Sequence, residues 1–143
     1  GAEGSRLEVL RDHLGLSERV HFLGFVPDAD LPKLYQSADA FVIAGSAELQ
    51  SIVTMEAMSS GLPILALNAV ALPELVKNGE NGFLFDVENP TTLASLIDRI
   101  YADDALRIQM GKMSRENIMR HDINHTLSAF ERIYEKALLA RSQ

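Results

Sequence analysis

The chain has 143 residues, 47% hydrophobic and 23% charged, enough apolar material for one domain with a core of its own. A formal net charge of -7 with no run of Lys or Arg speaks against a nucleic-acid surface, and the absence of cysteine excludes disulfides and thiolate chemistry. The longest apolar runs are too short to cross a bilayer and no secretory pattern is present, so the expected setting is cytoplasmic.

The first four residues, GAEG, read as a glycine turn. Ser5 and Glu8 then have the S-x-x-E spacing of a capping box, and Leu7, Leu10 and Leu14 follow at helical spacing up to Gly15, a helix-stop residue. Residues 20–26 (VHFLGFV) read as a strand, with His21 as a structural member of it. A Pro-Asp turn leads into a short helix over 31–37, with Asp30 as its N-cap.

Residues 40–44 (AFVIA) form a second strand, short and continuously apolar, as strands covered on both faces are. The pattern from Leu49 to Ser60 predicts a helix stopped by Gly61, with Pro63 just beyond. A third strand, 64–67 (ILAL), a short helix over 73–77, a turn cluster NGENG (78–82) and a fourth strand over 82–86 follow. Beyond Pro90 the pattern is helical throughout. Leu93, Leu96, Ile97 and Ile100 mark one stripe, residues from about 104 to 120 a second helix, and Leu127, Phe130, Ile133, Tyr134 and Leu138 a third. Alternating strands and helices predict an α/β fold: a Rossmann-like parallel sheet with helices on both faces. Ligands of such sheets sit at the carboxyl ends of the strands, which directs attention to the loop Gly45 to Glu48.

Two carboxylates, Glu48 and Glu56, stand eight positions apart there. With Glu48 at the helix start and Glu56 inside it, they are about 12 Å apart along the axis and offset by about 80°. Both then border one groove, with the unpaired N–H groups of the helix N-terminus between them as an anion site. A ligand with hydroxyls, then phosphate, then hydroxyls again matches that order, as a nucleotide-diphosphate sugar does. On spacing alone a plainer reading stays open: a solvent-facing or lysine-paired Glu56, and Glu48 as a first-turn acid favoured by the helix dipole.

The neighbouring residues narrow the choice. Glu48, Glu56-Ala57-Met58, Gly61 and Pro63 compose E-x7-E followed by A-M-x-x-G-x-P. In order around them stand VHFLGFVPD (20–28), SADAFV (37–42) and PELVKNGENGFLF (73–85). Together they resemble the C-terminal, donor-binding domain of the retaining group 1 (GT4-type) glycosyltransferases of GT-B fold, over nearly the whole chain to about Tyr134.

The resemblance implies a single nucleotide-sugar-binding domain over 1–143, half of a two-domain enzyme that moves a sugar from a nucleotide-diphosphate donor to an acceptor hydroxyl. It assigns Glu48 to the donor sugar hydroxyls, as the catalytic-site acid, and Glu56 to the ribose hydroxyls. The amides of Leu49, Gln50, Ser51 and Ile52 would hold the diphosphate, and the turn Phe25, Val26 to Asp28 would lie beside the base. No metal or cofactor is implied; the donor is substrate. The acceptor, a glycan, lipid or small molecule, would be bound through an N-terminal domain outside this chain.

The chain departs from the family pattern in two places. The glycine that usually follows the first glutamate is replaced within Leu49-Gln50-Ser51, where Ser51 is small and carries a hydroxyl donor. The turn ahead of Pro73-Glu74, usually Gly-Gly, is Val70-Ala71-Leu72, and it borders the donor sugar in the family. The family's first two strands, with a G-R-x…K-G segment, have no counterpart, so the sequence reads as a fragment followed by C-terminal helices. Open strand edges make a fragment dimer a further expectation.

Other candidates have plainer readings. Asp28-Ala29-Asp30 spells D-x-D but suits a turn and cap; His121 and His125 have metal spacing but no third ligand and fall at an interhelical junction, which suits solvated or capping histidines. The five methionines suit core packing, and Lys112, Arg115 and Arg120 a solvated helix face, with peripheral association at the inner face of the membrane as the alternative. Two rival functions remain: a nucleotide-sugar epimerase of the same architecture, and a non-catalytic doubly wound binding module.

Overall fold

The computed structural model describes residues 2–141. The chain divides into two compact units, Gly1–Leu31 and Pro32–Gln143. Gly1, the first residue of the expected opening turn, lies outside the described residues.

In the first unit, α1 spans Gly4–His13. The expected capping box is not used: the helix starts one residue ahead of Ser5, and Glu3 is its N-cap, with its carboxylate on Arg6 instead of the backbone. The helix end follows the sequence closely. Gly15 has φ +67°, its N–H donates to Asp12 O, and Leu16 N–H donates to Arg11 O, the paired bonds of a Schellman ending. The strand expected over 20–26 does not form. A strand exists only as a member of a ladder, and this unit holds one helix and no second strand among the described residues. His21 is therefore exposed on irregular backbone, not a strand residue. Phe22 instead lies under Arg11, whose guanidinium carbon is 5.5 Å from the ring centroid.

The second unit carries the sheet. Strands β1 (Phe41–Ile43), β2 (Ile64–Leu67) and β3 (Gly82–Phe85) are parallel in the order β1-β2-β3, with Phe41 opposite Ile64 and Ile64 opposite Gly82. All four β2 residues are buried, as its unbroken ILAL run requires of a strand covered on both faces. Ile64 and Ala66 pack with Ala57 and Met58 of α3 (Ile52–Ser59) and Leu72 of α4 (Leu72–Leu75). The alternate residues Leu65 and Phe83 pack on the other face with Ile100 of α5 (Pro90–Ala102) and Met110 of α6 (Asp104–Ile118). Helices thus cover both faces, as expected. A short helix α2 (Leu31–Gln36) precedes β1.

Glycine again ends a helix at Gly61: φ is +81°, its N–H donates to Met58 O, and Leu62 N–H donates to Ala57 O. The NGENG turn is more than a turn. Asn81 is fully buried; its Oδ1 accepts from Lys77 N–H at 2.7 Å and its Nδ2 donates to Leu75 O at 3.1 Å, tying the end of α4 to β3. A 3-10 turn (Met119–His121) separates α6 from α7 (Ile123–Arg141), because Asp122 turns to ψ 138°. His121 and His125 therefore lie on either side of an interhelical junction, as expected. The stripe Leu127, Phe130, Ile133, Tyr134 and Leu138 of α7 is exposed. Among the described residues no helix is long and apolar enough to cross a membrane.

The candidate donor site at the carboxyl end of β1

The chain leaves β1 at Ile43 and enters α3 at Ile52, three residues later than the expected start at Leu49. The delay has a local cause. Ile52 N–H donates to Gln50 O at 3.1 Å, a tight turn incompatible with helix at that point, and Leu49, 85% exposed, gains nothing by joining the helix. Glu48 therefore lies in the loop, not in the first helical turn, so the helical spacing of about 12 Å does not describe the pair.

The loop is rich in unused donors. Among the described residues, no backbone hydrogen bond engages the N–H groups of Leu49, Gln50 or Ser51, nor those of Val53 and Thr54 in the first turn of α3. The amide of Ile52, by contrast, is spent on Gln50. Ser51 is fully buried, and its hydroxyl shares a 2.8 Å hydrogen bond with that of Thr54. Ser51 thus spends its hydroxyl inside the loop, and neither its hydroxyl nor its backbone reaches the surface. Of these five, Leu49, Gln50 and Val53 are exposed residues while Ser51 and Thr54 are fully buried, and all stand at the positive end of a helix, a position that suits an anion.

Glu48 is half-buried, and its carbonyl accepts from Ala71 N–H at 3.3 Å, which ties the loop to the turn after β2. Glu56, also half-buried, accepts a hydrogen bond from the Tyr35 hydroxyl at 3.1 Å. Burial first, then the hydrogen bond and charge of Glu56, raise the Tyr35 pKa above its ordinary value. Tyr35 was not among the sequence candidates; its only signal was a polar aromatic residue on a short helix. Glu56 lines a cleft of about 380 Å³ with Ile52, Met55, Ile118 and His121, and Glu48 lies outside that lining. A second concavity, about 270 Å³, opens at the carboxyl ends of all three strands and is lined by Ser46, Asn68, Ala69, Asp86 and Glu88.

The second unit therefore holds Glu48, Leu49, Gln50, Ser51, Ile52 and Glu56 on one loop and the helix it opens. Phe25, Val26 and Asp28 belong to the first unit, where Phe25 is 88% exposed, Val26 half-buried and Asp28 exposed at the start of a turn. Among the described residues no three His, Cys, Asp or Glu side chains come together in a way that could hold a metal ion.

The family model described as glycosyl transferases group 1 matches residues 1–117. A D-inositol 3-phosphate glycosyltransferase of Corynebacterium jeikeium is 31% identical over 136 residues, covering 95% of this chain and 32% of that protein. The structure of sucrose-phosphate synthase from Thermosynechococcus elongatus superposes with a TM-score of 0.83 at 29% identity, over 98% of this chain and 35% of that one. Anabaena HepE in complex with UDP-glucose superposes with a TM-score of 0.75 at 30% identity, over 87% of this chain and 36% of that one. The chain spans 26–32% of the length of the corynebacterial relatives it matches.

Proposed function

We propose, for a chain that belongs to the group 1 glycosyl transferases, that it is the donor-binding part of a longer retaining glycosyltransferase and holds a nucleotide-diphosphate sugar. The observation that carries this reading is the set of unengaged amides of Leu49, Gln50, Ser51, Val53 and Thr54, with Glu48 ahead of them and Glu56 just beyond them. A diphosphate on those amides leaves Glu48 for the hydroxyls of the transferred sugar and Glu56 for those of the ribose. HepE, a structural neighbour at 30% identity, is seen with UDP-glucose, which supports a donor of this chemical class.

The chemistry asked of the site is electrostatic. As the glycosidic bond to the diphosphate breaks, charge grows on the leaving phosphate, and amides at a helix N-terminus are the groups that would stabilise it. Glu48 orients the sugar, and its negative charge favours the oxocarbenium-like centre. Glycoside hydrolases set two carboxyl groups about 5–10 Å apart across one bond. Here the two acids flank a whole donor, so neither is assigned as a nucleophile.

The test is calorimetric titration of the full-length enzyme with UDP-, GDP- and ADP-sugars, as wild type, Glu48→Ala and Glu56→Ala. Each charge-assisted hydrogen bond lost weakens donor binding by about 1.5–3 kcal/mol, roughly tenfold to a hundredfold. Unchanged donor affinity in both variants rejects the assignment. Donor binding without sugar transfer to any acceptor would favour the non-catalytic module, and a changed sugar left on its nucleotide would favour the epimerase.

A further inference from the structure

The turn that follows β2 contains an anomaly that core packing does not explain. Val70 has φ +48°, the one non-glycine residue with positive φ among the described residues, and it is 57% exposed. A β-branched side chain is strongly disfavoured there, and strain of this kind persists only where the surroundings impose it. The turn closes through Leu72 N–H to Ala69 O at 3.1 Å, with Ala71 at φ -85°, ψ -15°. A positive φ followed by those values is the pattern of a type II′ turn, whose first central position is normally glycine. What the strained turn delivers is the Ala71 N–H, aimed at Glu48 O.

Glu48 is held from a second side. A Cβ placed on Gly45 would meet Glu48 Cγ and Oε1 at 3.1 Å, tighter than ordinary contact. The Glu48 side chain therefore folds back over the bare face of Gly45 while its main chain is pinned by the turn after β2. We propose that Gly45 and the Val70-Ala71 turn are positioning elements that seat Glu48: Gly45 by leaving room for its side chain, Val70 by adopting the φ that points the Ala71 amide at its carbonyl. This rests on the reading of Glu48 as a donor-sugar ligand and adds to it the parts that fix its place. The Val70 side chain has no part in the seat; its backbone angle does.

Three variants of the full-length enzyme test this against Glu48→Ala, with donor KM, acceptor KM, kcat and Tm measured for each. Gly45→Ala has no backbone conflict, because the group it would displace is a flexible side chain. Its donor KM is expected to rise about fivefold to tenfold with acceptor KM and Tm unchanged, since small misplacements of an orienting group carry large costs. Val70→Gly keeps the positive φ without strain: a higher Tm and a donor KM within about twofold of wild type are expected. Val70→Pro forbids positive φ, so it should raise donor KM as Gly45→Ala does. If Gly45→Ala and a folded Val70→Pro both keep the wild-type donor KM while Glu48→Ala raises it, the seat is wrong and the donor reading stands. If Glu48→Ala itself has no effect, the donor reading fails and the seat with it. If Val70→Gly changes the ranking of donors, the side chain itself meets the donor and the proposed division of roles is overturned.

Discussion

At the scale of single residues, the contact of most consequence is Tyr35 to Glu56. It spans 21 positions and fixes the carboxylate at one edge of the cleft. Tyr35→Phe removes one neutral donor from a half-buried acid and should weaken donor binding by about 0.5–1.5 kcal/mol, roughly twofold to tenfold, read by the same titration. The same residue gives a pH signature. Its folded-state pKa lies above the ordinary 10.0, so the neutral phenol is the form the fold favours. The stability it contributes is fully present below pH 10.0 and is lost as pH rises through the higher folded value. Chemical denaturation across the alkaline range should show that loss in the wild type and a shallower slope in Tyr35→Phe. An identical slope in both would remove Tyr35 from the account.

At the scale of elements, α6 crosses the turn that ends α3 so closely at Gly111 that no Cβ fits there. A Cβ on Gly111 would lie 2.1 Å from Gly61 O. Because the obstacle is backbone, rotation of a side chain cannot relieve it. Gly111→Ala should destabilise the fold by about 1–3 kcal/mol, as overpacking does, and lower the thermal midpoint. Asn81→Ala leaves Lys77 N–H and Leu75 C=O without their partner, at a cost of about 1–3 kcal/mol. Helix ends were the most legible elements, because Gly15 and Gly61 act through their own φ angles. Helix starts were less so: α3 begins at Ile52 because of a turn at Gln50 that no residue type announces. The run 20–26 shows the limit of pattern reading, since its apolar residues signal strand propensity while the partner that makes a strand is a separate matter.

At the scale of the whole molecule, the sheet has three strands, with β1 and β3 at its edges and neither paired on its outer side among the described residues. Unpaired edges template association. We expect the isolated chain to self-associate, with light scattering at rising concentration reporting a mass above that of one chain. A constant monomer mass would remove the fragment-dimer expectation.

The sequence alone determined the strands near 41–43, 64–67 and 82–85, the glycine helix stops, and membership of the family through E-x7-E and its neighbours; it did not determine cover, since the apolar run at 40–44 was expected to be buried on both faces and Val42 is 43% exposed on an edge strand. Those signals are local: a continuous apolar run, a glycine at a turn, a motif on one loop. Only the tertiary structure decided that Tyr35 holds Glu56, that Ser51 spends its hydroxyl on Thr54, and that Val70 bends its backbone to meet Glu48. Tyr35 and Val70 act on residues more than twenty positions away, and Ser51 is buried only once the sheet and helices close around it. The identity of a side chain limits what it can bond to, but the fold chooses which partner arrives.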